Sequence, residues 1–161
     1  MIFVTVGTQD KPFTRLIKAI DEGVKSGAIK DEVIVQAGIN KYKSEYIKVL
    51  NYVPFDEFNN YVNAADIVIT HGGVGSILSA VKLGKKVIAV PRLKKYGEHI
   101  NDHQLQVIEK MTKDGYILSA EDENMIAEKI NEIANFIPKV YTSNTENFVT
   151  NFKKILDEVI N

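Results

Sequence analysis

Six consecutive residues, His71-Gly72-Gly73-Val74-Gly75-Ser76, have types and spacing that suit the binding of an anion. Gly72, Gly73 and Gly75 let a main chain turn sharply and come close to a ligand. Ser76 is expected to open a helix, whose first free N–H groups and dipole favour a diphosphate. The spacing is neither the G-x-G-x-x-G fingerprint of dinucleotide sites nor a Walker loop, which needs Gly-Lys-Ser/Thr. No acidic residue stands at a strand end about 20 residues further on, where an NAD site would hold its ribose. His71 precedes the glycines and admits two readings: a ring that caps a loop carbonyl, or one that contacts a phosphate or a sugar.

A second polar cluster spans residues 92–104: Arg92, then Glu98-His99, then Asp102-His103-Gln104. A guanidinium just after a strand makes a good phosphate clamp, and the competing reading is a surface salt bridge with Glu98. His99 and His103 are four apart, but the glutamate spacing is wrong for H-E-x-x-H and no third metal ligand stands nearby. There is no Asp-x-Asp either. Glu121-Asp122-Glu123 fits the start of a helix, where carboxylates favour the dipole. Diphosphate chemistry here is therefore expected to rest on backbone N–H groups and Arg92, with no metal. Gly7-Thr8, after the first apolar run, offers a third loop of the same kind, or a plain turn.

These clusters need strands and helices to bring them together. Residues 2–6, 67–70, 87–90 and 116–118 read as short strands, 32–38 as a strand with its exit loop, and 46–53 as holding a sixth; several are continuous apolar runs buried on both faces. Between them lie helical spacings: Phe13, Leu16, Ile17 and Ile20; Phe58, Tyr61 and Val62 with Asp56 as N-cap; 77–83, ended by Gly84; and Leu105 to Met111, with Asn101 as N-cap and Gln104 in a capping-box relation. A helix carrying Met125, Ile126, Ile130 and Ile133 follows, then Pro138. A last helix over 144–161 shows a broad apolar face, which packs on its own domain or meets a partner. Alternating strands and helices predict a doubly wound parallel α/β sheet, and ligands bind at the carboxyl edge of such sheets.

The chain has 161 residues, one domain's worth, with 45% apolar and 25% charged residues. Twenty basic and 21 acidic residues leave a net charge of −1, which argues against a nucleic-acid-binding surface. The absence of cysteine excludes disulfides and thiolate chemistry, and it fits a cytoplasmic protein. No window approaches the roughly 18–20 apolar residues of a membrane span, and residues 1–6 lack the basic start of a signal peptide.

Together the motifs resemble the C-terminal, donor-binding half of a GT-B glycosyltransferase. The resemblance runs from Val6-Gly7-Thr8 through Gln36-x-Gly38 and Thr70-His71-Gly72-Gly73-x-Gly75-Ser76 to Asp102-His103-Gln104. It looks most like the short bacterial subunits of two-component transferases for exopolysaccharide and capsule synthesis, to which Pro91-Arg92, Gly97-Glu98-His99 and Asp102-His103-Gln104 point. The catalytic subunit of the eukaryotic UDP-GlcNAc transferase of dolichol-linked oligosaccharide synthesis and the family 28 transferases are similar. The resemblance implies a Rossmann-like parallel sheet of about six strands flanked by helices over residues 1–161. It implies a UDP-sugar donor and no cofactor, with Gly7, Thr8 and the 71–76 loop on the diphosphate. Gln36 and Gly38 would then take the nucleoside side, and His103 and Gln104 the sugar or ribose. His71 becomes a candidate catalytic base. Many relatives hold the ribose with a glutamate at the position of Ser79. The resemblance further implies a hexosyltransferase, for galactose or GlcNAc. A separate membrane-associated subunit would bind the lipid-linked acceptor and recruit the chain to the inner face of the membrane. The competing expectations are a non-catalytic or regulatory nucleotide-sugar-binding subunit, or a UDP-sugar enzyme of another reaction.

Overall fold

The computed structural model describes residues 1–142, so the helix expected over 144–161 and its contact with a partner lie outside the described residues. Six strands form one sheet: β1 (Ile2–Thr5), β2 (Val33–Gln36), β3 (Lys48–Leu50), β4 (Ile67–His71), β5 (Lys86–Val90) and β6 (Leu118–Ser119). Their order is β3-β2-β1-β4-β5-β6 and every pairing is parallel. All four residues of β1 and of β2 are buried, as continuous apolar runs require.

Alternate residues of each strand feed two cores. Ile2, Val4, Val35, Ile69 and Ile88 pack with Leu16, Ile17 and Ile20 of α1 (Thr14–Lys25) and Ile126, Ile130 and Ile133 of α5 (Ile126–Ile133). Phe3, Ile34, Val68, Val87 and Ala89 face the other way. They meet Val62 of α2 (Phe55–Ala64), Ile77, Ala80 and Val81 of α3 (Val74–Val81), and Ile108 of α4 (His103–Lys113). This is the predicted doubly wound sheet. β1 and β4 are neighbours, and their chains leave toward opposite faces, α1 on one and α3 on the other. The loops after them diverge and open a crevice at the carboxyl edge.

Three helix starts differ from the sequence expectation. α2 begins at Phe55 with Pro54 in the cap position, which places Asp56 and Glu57 in the first turn, beside the positive end of the dipole. α3 begins at Val74, two residues before Ser76, with Gly73 as its cap. α4 is capped by Asp102, and no capping box forms. Asn101 Oδ1 instead accepts the N–H of His103 at 3.2 Å, and the Gln104 side chain turns inward to a different task.

Candidate functional site

Thr5, Gln36 and Thr70 stand at one level of the sheet, as the register of β1 with β2 and β4 sets them. Just beyond them lies a cavity of about 390 Å³. That falls in the roughly 300–1,000 Å³ range of small-molecule pockets. Gly7, Thr8, Gln36, His71 and Ser76 line it, five residues that the sequence singled out. Tyr52, Val53, Phe55 and Phe58 form an apolar wall that sequence reasoning missed. The signal was present: residues 52–55 directly follow a strand, so they had to lie at the same carboxyl edge as the glycine loops. A larger cavity of about 680 Å³ sits between α4 and the ends of β5 and β6. Leu93, Leu105 and Ile108 floor it, and neither glycine loop enters it. The smaller cavity is the candidate because the two loops of the switch point meet there.

His71 is the centre of that cavity and is 8% exposed. Its ring lies between two glycines. A Cβ on Gly7 would stand 2.6 Å from His71 Cε1, and one on Gly73 would stand 2.5 Å from Nε2. Gly7 also has a φ of +79°, a conformation that side chains disfavour. The glycines of both loops thus make room for an imidazole as well as for a ligand. Burial, followed by the charges of Arg92 and His99, lowers the His71 pKa to about 4, although a hydrogen bond to the Thr5 backbone works against the shift. The ring is neutral at pH 7.

Other groups set the walls. Thr5 Oγ1 donates to Gln36 Oε1 at 2.7 Å, and Gln36 Nε2 donates to the Asn51 carbonyl at 3.2 Å. Gln36 therefore borders the cavity with its amide already paired. Within α3 the first satisfied N–H is that of Ile77, on the Gly73 carbonyl at 3.1 Å. The N–H groups of Val74, Gly75 and Ser76 precede it and have no helical carbonyl to meet, so they remain for a ligand or for water. Ser79 Oγ donates to the Gly75 carbonyl at 2.8 Å, so its proton is engaged inside the helix. Gly38 packs against the carbonyl of Gly7, where a Cβ would come within 2.8 Å, and stands behind the cavity.

The second cluster behaves differently from its sequence reading. Arg92 is 1% exposed and offers no surface clamp. Its Nη2 donates to the Val6 carbonyl at 2.7 Å, and its Nη1 donates to the Lys11 carbonyl at 2.8 Å and the Glu98 carbonyl at 3.2 Å. Burial and then the charge of Arg15 bring its pKa down to about 10, against the pull of Glu98. The salt-bridge alternative fails as well, because the Glu98 carboxylate binds Arg15 Nε at 2.8 Å and the N–H of Leu93 at 3.0 Å. Arg15, which sequence reading passed over, also meets Glu123 and the Pro91 carbonyl. Gln104 Oε1 accepts the N–H groups of Gly72 and Arg92, each at 3.0 Å, and so joins the β4 and β5 loops.

His99, Asp102 and His103 stay outside the cavity. His99 Nδ1 pairs with the backbone of Asn101 at 3.0 Å, Asp102 Oδ1 accepts the N–H of Lys94 at 2.8 Å, and His103 is exposed. Among the described residues no group of three or more His, Cys, Asp or Glu is placed to hold a metal, and no helix is long and apolar enough to cross a membrane.

Comparison with known proteins bears on the fold and the family. The UDP-N-acetylglucosamine transferase subunit ALG13 of Candida glabrata is 30% identical over 131 residues, covering 79% of this chain and 62% of that one. Its Debaryomyces hansenii counterpart is 27% identical over 137 residues, with 78% and 61% covered. The chain thus spans about three fifths of these relatives and 26% of the Candida albicans protein. An NMR solution structure of ALG13 superposes with a TM-score of 0.62 at 21% identity, covering 91% of this chain and 92% of that one. At that identity the likeness is one of fold, the C-terminal domain of GT-B glycosyltransferases. The "Glycosyltransferase family 28 C-terminal domain" matches residues 1–159, and the chain belongs to that family.

Proposed function

We propose that this chain is the donor-binding, catalytic subunit of a two-component glycosyltransferase. It takes a UDP-sugar in the cavity at the switch point, and one observation carries the reading. The loop after β1, Ser76 in the first turn of α3 and the apolar wall from Tyr52 to Phe58 converge on that cavity in a chain of this family. The diphosphate lies over the α3 N-terminus and Gly7, and the nucleoside lies against the apolar wall. Charge is met by backbone N–H groups and the helix dipole, with no metal. His71, neutral and weakly basic, serves the phosphates better as a hydrogen-bond partner than the acceptor as a base. The base then comes from the partner.

The relatives named above are transferase subunits, and that supports a partner for this chain too. The partner is a membrane-associated subunit that presents a lipid-linked acceptor at the cytoplasmic face. The hexose moved is galactose or GlcNAc. The Arg92, Glu98-His99 and Asp102-His103-Gln104 pattern favours surface polysaccharide synthesis as the setting. One observation favours the alternative, a non-catalytic nucleotide-sugar-binding subunit: Ser79 has its hydroxyl proton engaged where relatives place a ribose-binding glutamate.

Calorimetric titration with UDP, UDP-galactose and UDP-GlcNAc in EDTA tests the donor site. Saturable binding without metal, lost in Gly73→Arg, is the expected result. Release of UDP only when the partner and acceptor are added separates catalysis from mere binding. Binding that required a divalent cation, or that survived Gly73→Arg, would place the donor elsewhere.

A further inference from the structure

Arg92 does more than fill space. Its two terminal nitrogens reach the carbonyls of Val6 and Lys11, the residues at the two ends of the loop that carries Gly7, Thr8 and Gln9 to the cavity. The same fork holds the Glu98 carbonyl, and its main-chain N–H shares Gln104 Oε1 with Gly72. One residue therefore ties the loops after β1, β4 and β5 to each other. Among the described residues Nε has no partner, and it is inaccessible to solvent.

Burying a guanidinium to 1% exposure carries a desolvation penalty that its hydrogen bonds must offset. An apolar side chain would have filled the same volume without that penalty. What it cannot do is bind two carbonyls at a fixed mutual angle, which a planar fork does and a lysine ammonium does not. The Arg92 guanidinium carbon lies 4.9 Å from the centroid of the Phe13 ring, within reach of a cation–π contact.

Resting on the donor-site reading, we propose that Arg92 is a positioning residue for the anion site: it clamps both ends of the 7–11 loop so that the loop faces the diphosphate, and it does not touch the ligand. A direct clamp and a positioning residue respond differently to lysine. A direct phosphate contact keeps part of its strength with a lysine, which retains the charge. A two-ended clamp fails with lysine nearly as fully as with methionine.

The test compares Arg92→Lys and Arg92→Met with the parent. UDP affinity is read by calorimetry, and the loop is read from backbone amide spectra of the ligand-free proteins. Both variants are expected to weaken UDP binding by at least about tenfold, with amide shifts concentrated at residues 7–11, 72 and 104. Equal UDP affinity in Arg92→Lys and the parent, or unmoved loop amides, would overturn the proposal. If the parent itself does not bind UDP, the donor-site reading fails, while the loop spectra still decide whether Arg92 holds the loop. If neither variant folds, the arginine side-chain spectrum of the parent decides. Terminal nitrogens already immobilised without ligand, and unmoved by UDP, are expected. Signals that appear or shift strongly on adding UDP would mean direct contact.

Discussion

Acidification should weaken this protein through His71 in particular, and the size of the effect follows from the ring's surroundings. The unfolded chain takes up a proton near the ordinary histidine pKa of 6.5, whereas the folded one holds His71 neutral down to about 4. The native state therefore binds fewer protons through this range, and stability falls as the pH falls. The contribution is fully present above pH 6.5 and is lost between there and pH 4. At 1.36 kcal/mol per pKa unit, the loss is about 2 kcal/mol by pH 5 and about 3 kcal/mol near pH 4.

Urea unfolding followed by circular dichroism at pH 7.5, 6.5, 5.5 and 5.0 measures this, with His71→Gln as the reference. Glutamine does not titrate, and carboxylate effects common to both proteins cancel in the difference. His71→Gln is expected to be the less stable at pH 7.5, because a well-packed ring is lost, and to approach or overtake the parent by pH 5. A difference that stays constant within about 0.5 kcal/mol across that range would refute the reasoning, since a solvated ring would behave that way.

Gly73→Ala should destabilise by about 1–3 kcal/mol, because its Cβ would stand 2.5 Å from His71 Nε2. Gly75→Ala, with nothing within 4 Å of its Cβ and a helical site, should stabilise by about 0.5–1 kcal/mol; thermal melts of the pair check both. Gln104→Leu leaves the N–H groups of Gly72 and Arg92 buried without a partner and should cost about 2–5 kcal/mol, while Gln104→Glu keeps the acceptor and should cost less, as denaturant titration will show. Ser79→Glu should tighten UDP binding by about tenfold through a charge-assisted bond to the ribose and leave pyrophosphate binding no stronger; equal gains for both ligands would remove the ribose from that position.

The strands and the parallel, doubly wound arrangement were legible because burial on both sides leaves continuous apolar runs, such as residues 2–6 and 87–90, that alternate with helical spacings. Helix starts were less legible. Asp56, Asn101 and Ser76 have the right chemistry for caps or first turns, but Pro54, Asp102 and Gly73 took the cap positions, where chain direction off the sheet decides. The site divided in the same way. Gly7 and Thr8 could be placed because they follow a strand and His71 because it ends one, and strand ends share an edge. Arg92 also follows a strand, yet its side chain points inward. Nothing local distinguishes a guanidinium aimed at a ligand from one aimed at the carbonyls of Val6 and Lys11, 86 and 81 residues away in sequence. Arg15 was invisible for the same reason, since its partner Glu98 lies 83 residues away.

Seen together, the buried charges lie one layer behind the cavity and neutral groups line it. His71 is neutral, Gln36 is paired with Thr5 and Asn51, and the first N–H groups of α3 have no helical carbonyl to meet. The cations stand behind the loops: Arg15 pairs with the Glu98 carboxylate, and Arg92 binds backbone carbonyls, that of Glu98 among them. For a donor diphosphate this arrangement has a chemical consequence. A guanidinium exposed in the cavity would add a salt-sensitive ion pair to diphosphate binding. Backbone N–H groups would instead meet the diphosphate through preorganised dipoles that carry no net charge. The expected signature is modest UDP affinity that falls little between 50 and 500 mM salt, because no solvent-exposed ion pair is made. A steep salt dependence would show instead that a surface cation outside the cavity, such as Lys94 or Lys95, carries the binding.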